Sequence, residues 1–184
     1  LARGDRVRII ARGDYPHLRE RGVETVQGDI QDAEALLEAC RGVDVVFHAA
    51  AKAGYWGKWD DYYGTNVHGT QNVIAACLKQ GASKLVYTSS PSVIFNNQPQ
   101  EGVDESIPYP QQYENAYSQT KALGEQLVLQ VNQKELPTVS LRPHLIWGPR
   151  DVHILPRLIA QAKGGMLMQV GDGRNRVDLT YVED

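Results

Sequence analysis

The sequence predicts an α/β fold built on a doubly wound, mostly parallel sheet. Three observations carry that expectation. Short β-branched runs alternate with stretches of helical period along most of the chain. Residues 43–51 (VDVVFHAAA) are almost continuously apolar, as a strand covered on both faces should be. The stretches between runs are long enough for crossover helices, which gives βαβ units with right-handed connections.

Residues 7–11 (VRIIA) and 23–26 (VETV) read as the first two strands. Asp32 is placed to cap a helix through Ala33, Ala35, Leu36, Leu37 and Ala39, and Gly42 to stop it. After the apolar strand at 43–51, the positions of Val67, Val73, Ile74, Ala75, Ala76 and Leu78 predict a helix over 66–79 that ends at Gly81. Residues 84–90 (KLVYTSS) read as a strand running into small polar residues. A second long helix is expected over 114–131, a strand over 138–141 and a helix over 155–162. Residues 98–112 hold Pro99, Pro108 and Pro110 and read as a surface loop. Asp172-Gly173, between 167–170 and 177–180, predicts a β-hairpin.

Composition narrows the function classes. The chain has 184 residues, a little over one domain's worth, with 42% hydrophobic and 22% charged residues. Its 19 Lys plus Arg against 22 Asp plus Glu give a net charge of −3, which argues against a nucleic-acid-binding surface. Its two cysteines, Cys40 and Cys77, show neither a disulfide framework nor metal spacing. A reducing compartment, the cytoplasm, is therefore expected. No apolar run is long enough to span a membrane, and no apolar core of a signal peptide follows the first charges. The missing initiator Met, and an end at Asp184 directly after an apolar segment, suggest a fragment of a longer protein.

Tyr117 and Lys121 carry the clearest chemistry. Four residues apart on a helix, they lie about 40° apart in azimuth and about 6 Å apart along the axis, and so share a face. An ammonium beside a phenol stabilises the phenolate. Such a tyrosine can give a proton to a carbonyl under reduction and recover it in reverse. Ser90 ends the strand Tyr87-Thr88-Ser89-Ser90, at the carboxyl edge where open α/β sheets bind ligands. Its hydroxyl suits a hydrogen bond to the same carbonyl. Each feature has a plainer reading, a chance helical pair and a turn-capping serine; their joint occurrence favours chemistry.

With further motifs, these residues resemble the extended short-chain dehydrogenases/reductases, of the epimerase/dehydratase and 3β-hydroxysteroid dehydrogenase group. Gly28-Asp29-Ile30 resembles that family's Gly-Asp-(Ile/Leu/Val), and His48-Ala49-Ala50-Ala51 its His-x-Ala-Ala strand end. Asn66-Val67-His68-Gly69-Thr70 is similar to its Asn-Val-x-Gly-Thr helix, and Ser89-Ser90-Pro91-Ser92-Val93 to its Ser-Ser-x-x-Val. Tyr117 and Lys121 match its catalytic pair. The stretch from Leu141 through Arg142, Pro143, His144 and Ile146 to Pro149 resembles its Leu-Arg-Pro-x-x-Ile-Tyr-Gly-Pro. The set most resembles bacterial 2-alkyl-3-oxoalkanoate reductases, which reduce a β-keto acid with NADPH.

The resemblance implies a Rossmann-like, dinucleotide-binding domain over 1–150, without its first strand and glycine-rich turn, and the start of a substrate-binding region over 151–184. It implies that Tyr117 is the acid/base, that Lys121 lowers its pKa and holds the nicotinamide ribose, and that Ser90 polarises the carbonyl. Asn66 would hold the active-site geometry and proton path. Asp29 and Ile30 would meet the adenine, and Ala49, Ala50, Ala51, Thr88, Ser89, Pro143, His144 and Ile146 would line the cofactor. For His144 a packed or capped imidazole is an equal alternative. Ser90, Ser92, Tyr117 and Trp56 would meet the substrate. Arg12, where NAD enzymes usually carry an acidic residue, suits a 2′-phosphate; NADP(H) is favoured, with NAD(H) left open because Asp14 lies close by in sequence.

The activity so implied is NAD(P)H-dependent reduction of a keto group, or oxidation of the hydroxyl, on an apolar small molecule. A long-chain 2-alkyl-3-keto acid or a 3β-hydroxysteroid would serve. Alternatives are a nucleotide-sugar epimerase/dehydratase with bound NAD and a non-catalytic dinucleotide sensor. A homodimer through the helices over 61–80 and 114–133 is also implied. The aromatic stretch 52–63 (KAGYWGKWDDYY) reads either as an apolar lid or as side chains that pack their own loop down. His48 and His68 read as structural and His17 and His153 as surface groups. Arg174 and Arg176 read as solvated, or as contacts for a substrate carboxylate.

Overall fold

The computed structural model describes residues 1–132, 136–152, 154–169 and 171–183. The chain divides into two compact units, Leu1–Leu141 and Arg142–Asp184. The first unit holds β1 (Arg8–Ala11), α1 (Pro16–Arg19), β2 (Glu24–Gln27), α2 (Ala33–Ala39), β3 (Val45–His48), α3 (Trp59–Tyr63), α4 (Gly69–Gln80), β4 (Lys84–Thr88), α5 (Ala116–Asn132) and β5 (Thr138–Leu141). The second holds β6 (Ile146–Trp147), α6 (Leu155–Lys163) and β7 (Thr180–Tyr181).

Every strand pairing among the described residues is parallel, as the alternation of strand and helix predicts. β1 pairs with β2 from Arg8↔Glu24 to Ala11↔Gln27. β3, β4 and β5 lie side by side in that order, with His48 opposite Tyr87 and Tyr87 opposite Ser140. The caps are those the residue types call for. Asp32 Oδ1 accepts the amides of Glu34 (3.0 Å) and Ala35 (3.1 Å) at the start of α2. Gly81 ends α4 in the left-handed conformation, φ 72°.

Three expectations need correction. The first helix of the pair is longer than its aliphatic period: α3 starts at Trp59 and runs through a π-type turn (Gly64–His68) into α4. Residues 59–65 lack aliphatic spacing, and a tertiary contact makes them helical, since the Tyr62 ring is buried. Second, the apolar run at 43–51 is not covered on both faces. Phe47 is 75% exposed and Val45 38%, while His48 is buried. Helices α2, α4 and α5 share one core with β4, formed by Leu36, Val73, Ile74, Cys77, Leu85, Tyr87, Val128 and Leu136. Third, no hairpin forms around Asp172-Gly173 among the described residues. Asp172 accepts the amide of Arg174 (3.1 Å) in a local turn, and Thr180–Tyr181 pairs in parallel with Ile146–Trp147 instead. Of the expected elements, Gln133 and Val170 lie outside the described residues, as does His153.

α5 meets the π-type turn at a close helix approach. A β-carbon on Gly124 would lie 2.6 Å from the Asn66 carbonyl oxygen and 2.7 Å from the Tyr87 hydroxyl. Gly→Ala ordinarily favours a helix by about 1 kcal/mol. Here the obstacle is backbone, which cannot swing aside, so Gly124→Ala is expected to destabilise by about 2 kcal/mol net. Urea unfolding of the pair of proteins checks this; an alanine variant as stable as its parent would contradict the close approach.

Candidate functional site

Parallel pairing brings the carboxyl ends of β3, β4 and β5 to one edge of their sheet. Ala49, Ala50 and Ala51 leave β3 there, Thr88 ends β4, and Ser89 and Ser90 follow it. The alanines are exposed and offer small side chains past which a ligand can lie flat. Ser90 turns the chain: its Oγ accepts the Ser92 amide (3.2 Å) and lies 2.9 Å from Ser92 Oγ. This fixes Ser90 and couples it to Ser92. Ser89 Oγ is buried and has no hydrogen-bond partner among the described residues, a group ready for a polar ligand atom.

α5 supplies the other wall. Asn115 Oδ1 accepts the Ser118 amide (2.9 Å) and anchors its first turn. Tyr117, half-buried, and Lys121, buried, follow one turn apart on the same face. Lys121 Nζ donates to the Thr88 carbonyl (2.7 Å) and sits 4.1 Å from the centre of the Tyr87 ring. The pairing therefore carries Lys121 to the end of β4, next to Ser89 and Ser90 in sequence. Burial pushes the Lys121 ammonium down to about 8, and the nearby Glu125 carboxylate partly opposes that fall.

Asn66 is committed to structure. Its Oδ1 accepts the Lys52 amide (2.8 Å), and its Nδ2 donates to the Lys52 carbonyl (3.1 Å) and to Thr120 Oγ1 (3.0 Å). The amide thus ties the segment after β3 to α5 next to Lys121. The Asn66 backbone carbonyl accepts from Thr70 Oγ1 (2.7 Å), which leaves that oxygen to accept from His48 Nε2 (2.9 Å). Burial, with the Lys121 charge second, holds His48 down at about 3. Burial also pushes the Tyr87 phenol up.

The loop after Lys52 is pinned from within. Tyr62, 1% exposed, has its hydroxyl 3.0 Å from both the Gly54 and the Trp56 carbonyl oxygens. Trp56 is left 87% exposed, with Tyr55 edge-on at 5.0 Å. Tyr62 thus packs the loop down, while Trp56 and Tyr55 are exposed. Arg12 follows β1, and its Nη1 lies 4.0 Å from Asp29 Oδ2, after β2. Ile30 is buried in the core beside Leu36 and Val73, so it supports the Asp29 turn from behind. Pro143, His144 and Ile146 belong to the second unit, where the His144 carbonyl accepts the Thr180 amide (3.0 Å).

Thr70, Thr120, Tyr87 and Glu125 carried no separate weight in the sequence. A usable signal existed for Glu125, which extends the Tyr117–Lys121 face by one more turn.

The chain is similar to known enzymes in sequence and in fold. It is 48% identical over 186 residues to a 2-alkyl-3-oxoalkanoate reductase of Stenotrophomonas maltophilia, covering 100% of this chain and 56% of that protein. A 2-alkyl-3-oxoalkanoate reductase of Shewanella oneidensis is 44% identical over 191 residues, covering 100% and 49%. The chain thus spans about half the length of these curated relatives. Among solved structures, a Thermus thermophilus UDP-glucose 4-epimerase in complex with NAD superposes with a TM-score of 0.79 at 27% identity, covering 98% of this chain and 64% of that one. A parallel α/β sheet, a buried lysine one turn from a tyrosine, and a family match running over residues 6–184 lead to one assignment: the chain belongs to the 3-beta hydroxysteroid dehydrogenase/isomerase family.

Proposed function

We propose that the full-length protein is an NADP(H)-dependent reductase of a keto group on an apolar substrate, a long-chain 2-alkyl-3-keto acid. The observation that carries this reading is the Lys121 ammonium, buried, one turn from Tyr117 and hydrogen-bonded to the carbonyl that ends β4. Tyr117 gives its proton to the substrate oxygen as the carbonyl is reduced, and Lys121 eases that release by stabilising the phenolate. Ser90, its lone pair engaged by the Ser92 amide, turns its proton toward the same oxygen. Asn66 holds Lys52 and Thr120 so that Lys121 keeps its place. Bound nicotinamide dinucleotide supplies the hydride. Asp29, Ala49, Ala50, Ala51, Thr88 and Ser89 would hold it along the sheet edge, and Lys121 its ribose. The unpartnered Ser89 hydroxyl fits such a ligand. Pro143, His144 and Ile146 enter as cofactor contacts through the family resemblance alone.

Arg12 supports the phosphorylated cofactor. Its guanidinium is 84% exposed and only loosely paired with Asp29, so it is available to a 2′-phosphate. Trp56 and Ser92 would meet the substrate. The cytoplasm suits such an enzyme. A homodimer would form through α3–α4 and α5, whose shared groove is lined by Tyr63, Val67, Leu123 and Leu127; light scattering at one protomer's mass would contradict it. The reductase reading is tested by following NADPH oxidation with a long-chain 2-alkyl-3-keto acid, with NADH in parallel. Turnover with NADPH and little with NADH is expected. Dinucleotide binding without turnover of the keto acid would overturn it. The likeness to the NAD-bound epimerase favours a second reading, a sugar-nucleotide isomerase. It would show as dinucleotide that co-purifies and is not consumed.

A further inference from the structure

Lys121 is an ammonium held almost wholly out of water, 2% exposed. An ion in such a place needs compensation from its surroundings. The Thr88 carbonyl at 2.7 Å and the Tyr87 ring at 4.1 Å supply dipoles, not charge. One turn further along α5, on the same face, lies Glu125, fully buried. Both its oxygens are gripped by hydroxyl donors from outside the helix. Tyr109 donates to Oε1 (2.7 Å) from the loop before α5, and Ser140 donates to Oε2 (3.1 Å) from β5. Two such donors favour the ionised carboxylate.

We propose that Glu125 is the buried counter-charge of Lys121, a positioning residue that keeps the lysine protonated without itself touching substrate or cofactor. Among the described residues, the other titratable groups near Lys121 are Tyr117 on its own helix, Tyr87 from β4 and His48 from β3. Burial keeps Tyr87 protonated and His48 neutral, so neither supplies the negative charge. The consequence for catalysis rests on the reductase reading above: Lys121 must be charged to lower the pKa of Tyr117 and to hold a ribose. The pairing itself does not depend on that reading.

The test is a double-mutant cycle in the full-length protein, read by thermal melting between pH 6 and 9. Lys121→Met leaves the carboxylate buried without its partner, so its pKa rises above the unfolded value and stability falls as pH increases. Adding Glu125→Gln should remove that pH dependence and raise the melting temperature by about 3 °C or more at pH 8. If Glu125→Gln alone does not fold, the double variant should still fold. Additive losses, or a double variant no better than Lys121→Met, overturn the pairing. A second readout is the pH profile of NADPH affinity, followed by its fluorescence. In Glu125→Gln the alkaline loss of affinity should move down by about one pH unit. An unmoved midpoint overturns the proposal, whereas a parent that binds no dinucleotide, with the melting cycle intact, overturns only the reductase reading.

Discussion

Replacing Tyr117 by Phe is expected to cut turnover by about 10³-fold while leaving dinucleotide binding within a factor of about two. The substitution removes one hydroxyl and keeps the ring that occupies a half-buried position on α5. The proton that Tyr117 would give to the reduced carbonyl then has no donor at the right place. Lys121 keeps its hydrogen bond to Thr88, so the ribose contact proposed for it would be unaffected. The size of the loss reflects what a well-placed general acid contributes, and it should appear in kcat far more than in KM. The thermal midpoint should hardly move, because the core of the unit lies on Leu36, Val73, Leu85 and Val128, not on the tyrosine hydroxyl. Steady-state kinetics of the full-length variant check this, and a kcat within tenfold of the parent would remove Tyr117 from the acid/base role.

Acid should destabilise the fold through His48 before carboxylates contribute. The imidazole is buried, its Nε2 bound to Thr70, and it takes a proton only near pH 3 in the folded chain. In the unfolded chain it takes one near 6.5. Between those values the unfolded state binds a proton that the folded state refuses. Stability is therefore full above about pH 6.5 and falls as pH drops toward 3, by up to about 1.4 kcal/mol per pH unit. From about pH 6.5 to 5.5 ordinary carboxylates stay largely ionised, so a slope that is lost in His48→Gln reports this residue. Urea unfolding of the parent across that window should show the slope. His48→Gln keeps a donor for Thr70 and cannot titrate there, so its slope should flatten. Equal slopes in the two proteins would mean that His48 is protonated in the folded state.

Some of this was legible in the residues alone because it is local. A helix cap such as Asp32, a left-handed stop such as Gly81, and the shared face of Tyr117 and Lys121 are set by residues within one or two turns. The alternation of strand and helical periods was enough for the parallel α/β class. Local pattern failed where partners are far apart in the chain. Residues 59–63 became helical through the buried Tyr62. The turn at Asp172 closed on itself while Thr180 paired with Ile146.

Spacing along one strand or one helix was enough for the parallel α/β class and for the placing of Tyr117 and Lys121 on one helix face. What those groups experience comes from contacts between elements. Lys121 reaches the Thr88 carbonyl across 33 positions, and Asn66 reaches Thr120 across 54. Glu125 is buried against Ser140 of a different element. Desolvation and hydrogen bonding set the charge state of a side chain, and both depend on atoms that chain folding brings close, which no window of sequence contains.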